Sequence, residues 1–328
     1  MTLPIRSLAP TLILCSIASL AFADAAFVAT PAASIEIPNS SGKFDFLRVD
    51  AKRQRLLASH ENDGTSDFID LRTGRLIGRV KVGAAVDTAM DPESTRYYVS
   101  VQEAERVAVL DAETLKEVGS IKTPGPTDAI LFNPTNRMVY VTHDNGSTVW
   151  VIDPVAMKVA ATIHIPGAPE FMVYDAKANR IYLNIKTTNA VAVIDPTSNK
   201  VVANWPTAPA LGPHGLALDA DNHRIFTSGN NGKLAVIDTG SGRVTGSADI
   251  VAKVDQIAFD AVGGLVYCAG PEQMTVVGTA GGKVAALGYI ATAATAKNVA
   301  VDPATRAVWT TYTNGTSSFA KSWLPPKP

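Results

Sequence analysis

TDAILFNPTNRMVYVTHDNGSTVWVIDPVAMKVAATIHI, residues 127–165, is the stretch whose reading decides the fold of this chain. Thr127 to Phe132 is mostly apolar and stops at Asn133-Pro134, where proline lacks the donor that a sheet ladder needs. Met138 to Thr142 is rich in β-branched and aromatic residues, and His143-Asp144-Asn145-Gly146 carries the Asn-Gly signal of a tight hairpin. Val149 to Ile152 reads as a third strand closed by Asp153-Pro154, and Val159 to Ile165 as a fourth closed by Pro166-Gly167. Four short antiparallel strands make a small sheet that cannot bury both faces alone, so the unit must stack on copies of itself.

The copies are present. From Phe44 onward the pattern recurs, and its register can be followed on the Asp or Asn that ends each first strand. That residue is Asp50, Asp91, Asn133, Asp175, Asp219, Asp260 and Asp302, at steps of 41, 42, 42, 44, 41 and 42. Four-stranded repeats at this period predict an all-β fold, a seven-bladed β-propeller of antiparallel blades around a channel. The sixth copy has lost the aspartate after its third strand, and the seventh runs out before a fourth strand. Ser34 to Pro38 has the fourth-strand pattern and directly precedes the first copy. We expect it to pair with Ser317 to Trp323 and close the ring, removing two open edges together.

The segments VYVTHDNGSTVWVID (139–153), IYLNIKTTNAVAVID (181–195) and PHGLALD (213–219) resemble the YVTN β-propeller repeat, and the whole arrangement is similar to the YncE-like proteins. The resemblance covers about Ile35 to Trp323 and implies a seven-bladed propeller in the periplasm. It also implies three kinds of role: a surface or adhesion scaffold, single-stranded DNA binding as in YncE-like proteins, and, through more distant propellers, metal-dependent hydrolysis of the lactonase type.

Composition agrees with an ordinary folded domain: 328 residues, 46% hydrophobic, with 29 basic and 30 acidic side chains, which argues against a general polyanion binder. Met1 to Ala23 stands apart. Arg6 is its only charge, Leu8 to Phe22 is largely apolar, and Ala21-Phe22-Ala23 has the small-x-small form of a cleavage site, so we expect a secretory signal cut before Asp24. The predicted mature unit is a single domain over residues 24–328, periplasmic or secreted, with no membrane span after cleavage. It would retain one cysteine, Cys268, on a strand pattern that predicts a buried, inert thiol.

In a propeller the first strands line the channel, and the loops entering them share one face with the loops between second and third strands. Five residues before each register position come Asp45, Val86, Asp128, Glu170, His214, Asp255 and Lys297, with Asp87 one place late in the second blade. The loops between second and third strands add His60, His143, Asp144 and Lys186. A mostly acidic, histidine-containing mouth is therefore expected. It suits a small cationic ligand, a periplasmic protein partner or a divalent metal ion, with His60, His143, His214 and Glu170 as the candidate metal ligands. The same residue types also fit loop capping, and the sequence does not separate the two roles. The basic residues Lys52, Arg53, Arg55, Arg72, Arg75 and Arg79 of the first blade are the candidate nucleic-acid patch. No nucleophile elbow, zinc-peptidase motif or haem-attachment motif is present.

Overall fold

The computed structural model describes residues 27–93 and 95–327. The expected leader, Met1 to Ala23, lies outside the described residues. The quoted stretch folds as read, with strands Thr127–Asn133, Met138–His143, Thr148–Asp153 and Lys158–His164, each hydrogen-bonded to the next. Asn145 at the hairpin tip takes φ 51°, the left-handed conformation that asparagine tolerates best among residues with a Cβ. Seven such four-stranded sheets follow one another, and the single helical element among the described residues is the short 3-10 turn Ala280–Gly282.

Ring closure also matches. Thr30–Ile37 pairs antiparallel with Ser317–Leu324, placing Ser34 opposite Lys321 and Ile37 opposite Ser318. This strand begins earlier than its sequence pattern suggested, at Thr30, and serves as the outer strand of blade 7.

The regular aspartates are turn formers. In the first-strand set, Asp50, Asp91, Asn133, Asp175, Asp260 and Asp302 each accept a backbone N–H two or three residues on. Asp70, Asp111, Asp153, Asp195 and Asp238 do the same after the third strands. The aspartate thus supplies locally the acceptor that a strand would otherwise provide.

Packing follows the strand position. The second and third strands of blade 4, Arg180–Ile185 and Ala190–Asp195, are buried almost throughout, whereas the fourth, Lys200–Pro206, alternates exposed and half-buried residues as an outer strand should. Tyr98, Tyr140, Tyr182, Phe226, Tyr267 and Trp309 of the second strands are all buried between blades. Cys268 is fully buried, and burial pushes its thiol up, so it packs as a small apolar residue.

One irregularity positions the site. The first strands of blades 2 to 5 each carry a bulge near their start, between Ala85 and Asp87, Thr127 and Ile130, Pro169 and Met172, and Pro213 and Leu216. A bulge bends the strand and re-aims the extra side chain. In blades 3, 4 and 5 the residues inside it include Asp128, Glu170 and His214.

Candidate functional site: the charged mouth of the channel

The mouth is a chain of alternating charges. Lys43 bridges Asp45 (3.1 Å) and Glu61 (2.5 Å) in blade 1. On the far side, Lys186 Nζ lies 2.6 Å from Glu170, whose second oxygen is 3.6 Å from His214 Nε2. That same nitrogen is 3.8 Å from Asp255, which Lys297 holds at 2.9 Å. Five sequence-predicted residues from four blades, Glu170, Lys186, His214, Asp255 and Lys297, therefore form one continuous network. His214 Nδ1 is buried without a hydrogen-bond partner.

Asp128 stands half-buried outside this pairing, with no hydrogen bond or ion pair among the described residues, although the charge of Lys186 acts on it from nearby. Burial raises its carboxyl well above the usual range, and the neighbouring carboxylates Glu170, Asp45, Asp144 and Asp87 push it further in the same direction. Burial likewise raises Asp45, to about 7, with Lys43 opposing the shift and Asp255 and Glu61 adding to it. Burial acts to lower the ammonium of Lys186, and the hydrogen bond to Glu170 together with the charges of Glu170, Asp128 and Asp144 more than offsets this, leaving it raised. Asp144 accepts a 2.9 Å hydrogen bond from the Asn145 amide at the exposed tip beside Asp128.

Asp87 lies one layer below the rim rather than on it. Its side chain is fully buried and receives Arg48 Nε at 2.8 Å and Nη2 at 2.6 Å, while its Oδ2 also accepts the Ile130 N–H. At the same depth Phe46 of blade 1 meets Phe171 of blade 4 across the channel, ring centroids 5.1 Å apart, and the Arg48 guanidinium sits 4.3 Å from the Phe171 ring centre. Gln256 of blade 6 donates to the Leu47 carbonyl and accepts from the Leu47 and Val299 N–H groups, tying three blades together. The mouth is therefore a cup with a floor. Sequence reasoning missed this floor, although a signal existed: Arg48 occupies the register position that the other blades fill with Ala89, Leu131, Val173, Ala217, Ala258 and Ala300.

The four candidate metal ligands are not brought together. His60 is fully buried, with Nδ1 3.2 Å from Asp67, Nε2 accepted by the Ser41 carbonyl at 3.0 Å, and its ring stacked on Phe44 at 3.8 Å. His143 stacks on Trp150 and packs so closely against Gly146 that a Cβ there would lie 2.1 Å from Nδ1. Only Glu170 and His214 are neighbours. The carboxylates beside them are taken by lysines, and no group of three or more His, Cys, Asp or Glu among the described residues is arranged to hold a metal ion. The residues present do not fit a metal centre of the lactonase type.

The basic residues of blade 1 are largely engaged at home. Arg53 pairs with Asp50 and Glu113, Arg72 with Asp70, and Arg79 with Asp63 and Asp67. Lys52 donates to the Pro92 carbonyl and Arg55 to the Ala112 carbonyl. Among the described residues no helix is long and apolar enough to cross a membrane.

Two solved structures share the architecture. A chain of Kuenenia stuttgartiensis hydrazine synthase is similar at 16% identity, with a TM-score of 0.74 over 87% of this chain and 98% of its own. A chain of a mitotic checkpoint complex is similar at 12% identity, with a TM-score of 0.78 over 98% of this chain and 99% of its own. At such identities the likeness concerns the fold alone. No curated protein matches the sequence. Residues 83–245, from the first strand of blade 2 into the fourth strand of blade 5, match a family model described as a domain of unknown function, DUF5074.

Proposed function

We propose that this protein is an exported binding propeller whose charged cup takes a small ligand bearing a cationic group, such as a primary ammonium. Asp128 is the observation that carries the reading. Every other rim carboxylate with a raised or networked environment has a cation beside it: Lys43 at Asp45, Lys186 at Glu170 and Lys297 at Asp255. Asp128 alone, half-buried and facing four carboxylates, has no cation in direct contact, since the nearby Lys186 is taken by Glu170. A ligand ammonium entering the cup would supply the missing partner and let Asp128 ionise, and a low local dielectric would strengthen that contact.

The lysines that occupy the other carboxylates favour recognition over metal chemistry at this mouth. They also give the cup both signs of charge, so a zwitterionic ligand could place its anionic end on Lys186 or Lys297. Export is supported by the apolar run and small-x-small site before Asp24. N-terminal sequencing of the protein recovered from the cell envelope is expected to begin at Asp24, and recovery of intact Met1 in the cytoplasm would contradict export.

The binding reading is tested by thermal shift against alkylammonium, diammonium and guanidinium ions at matched ionic strength. A saturable rise in Tm is expected for the wild type and none for Asp128→Asn. Equal shifts in both proteins would place the cation elsewhere and refute the reading.

A further inference from the structure

The repeats provide an internal standard for the clefts between blades. In the turn between third and fourth strands, the same position is left-handed in six blades: Gly74 (φ 64°), Leu115 (54°), Met157 (54°), Asn199 (53°), Gly242 (69°) and Gly282 (76°). Its side chain is a knob for the cleft with the preceding blade. Leu115 enters opposite Gly78 of blade 1, where a Cβ would lie 2.7 Å from Leu115 Cδ1. Met157 enters opposite Gly119 of blade 2, where a Cβ would lie 2.6 Å from its methyl. Asn199 reaches Tyr140 of blade 3, Oδ1 to Oη 3.4 Å. Where the knob is Gly242, Trp205 of blade 4 fills the cleft from the other side.

The cleft between blades 5 and 6 has neither solution. Its knob position is Gly282, and a Cβ added at Gly281 or Gly282 would meet nothing within 4 Å. The residue that corresponds to Trp205 is Ala248. Val284 leans in toward Gly246, leaving a Cβ there 3.1 Å from its Cγ2, and the remainder is an open cavity of about 650 Å³. One wall is apolar, from Val236, Phe259 and Val284, and Asp238 lies at the cavity. Asp238 is held ionised by hydrogen bonds from Ser241, whose N–H and hydroxyl both go to Oδ1, with the Gly240 N–H and His223 adding to this, and it forms no ion pair with a lysine or arginine among the described residues. The other acid at the cavity, Asp219, is already matched by Arg224 at 2.8 Å.

We propose that this cleft is a docking site for a partner polypeptide that inserts a leucine or methionine followed by a basic residue. The chain's own knobs define the apolar half of that specificity, since an unbranched or γ-branched side chain is what the filled clefts hold at Leu115 and Met157. Charge defines the other half, because the Asp238 carboxylate at the cavity has no lysine or arginine paired with it and can accept a cation at the lip. In the chain itself both apolar knobs precede a lysine, Leu115-Lys116 and Met157-Lys158. The cleft opens at the end of the ring opposite the charged mouth, so the proposal stands independently of the ligand assigned there.

The test uses the acetylated, amidated hexapeptide AETLKE, which is residues 112–117 of this chain, titrated into the full-length protein and followed by the amide resonances of Thr279, Gly281 and Gly282. Saturable shifts are expected, with about ten-fold weaker binding when the peptide leucine is replaced by alanine, the ratio set by burying a side chain of that size. Gly282→Leu should fill the cleft from within and abolish the response. Should that variant misfold, Gly282→Asn, the residue of blade 4 and one that tolerates the left-handed conformation, should weaken it. No saturable shift in the folded wild type, or an equal response to the alanine peptide, would overturn the proposal. So would a concentration-dependent dimer dissolved by Gly282→Leu, which would assign the cleft to a second copy of the chain.

Discussion

The carboxyls of Asp45 and Asp128 bind protons more tightly in the folded protein than in the unfolded chain, and this has a definite consequence for stability. A carboxyl raised in the folded state lets that state bind more protons than the unfolded one between the two pKa values, so stability falls as pH rises through that window. For Asp45 the window runs from the ordinary aspartate range to about 7. The protein is expected to melt higher at pH 5 than at pH 8, by an amount on the order of 1–3 kcal/mol in unfolding free energy. Asp45→Asn should flatten that slope, and urea denaturation at the two pH values measures it. The opposite slope would contradict the raised carboxyl of Asp45, because the depressed carboxylates of the turns titrate below that interval. Asp87 is a different case, because its role is to neutralise Arg48. Asp87→Ala leaves a mostly buried guanidinium without its partner and should cost about 3 kcal/mol. A loss below about 0.5 kcal/mol in denaturant titrations, the range of ordinary surface substitutions, would mean that the floor of the cup does not depend on the pair.

At the scale of strands and turns, the aspartate-ended strands fixed the register from sequence because an Asx turn is a local device. Asp153 needs only its own next three residues to cap its strand. Strand positions were legible for the same reason. Side-chain direction at the mouth was not. The bulges that aim Asp128, Glu170 and His214 arise from main-chain pairing between strands and leave no consistent residue-type mark, since blade 3 has Asp128 and Ala129 there, blade 4 Glu170 and Phe171, and blade 5 alone a glycine, Gly215. His60 and His143 occupy equivalent places, yet the sequence could not reveal that Asp67, Ser41 and Phe44 would enclose the first and Trp150 the second. The closing strand carries its own test. Deleting residues 30–37 exposes the length of Ser317–Leu324 as an open edge, so the variant should melt several degrees lower and aggregate. An unchanged Tm would contradict closure by that strand.

For the whole molecule, one repeat used seven times separates architecture from function. Whatever all blades share builds the ring, and whatever one blade alone possesses is a candidate for function. Arg48 among alanines and aliphatics, and Gly282 facing Ala248 rather than a tryptophan, were visible as departures from the repeat, whereas Asp128 was visible only as one of several rim carboxylates. Their meaning required the ring, because Asp128 acquires four carboxylate neighbours only when blades 1 to 4 are brought to one mouth. The central claim is that the cup accepts a cation at Asp128, a carboxyl whose hold on its proton is strengthened by burial and by four neighbouring carboxylates. Calorimetric titration of 1,4-diaminobutane in two buffers of different ionisation enthalpy at pH 7 tests this directly. The account requires one-to-one binding accompanied by proton release, with both lost in Asp128→Asn. Absence of binding, or binding without proton release that survives in Asp128→Asn, would contradict it.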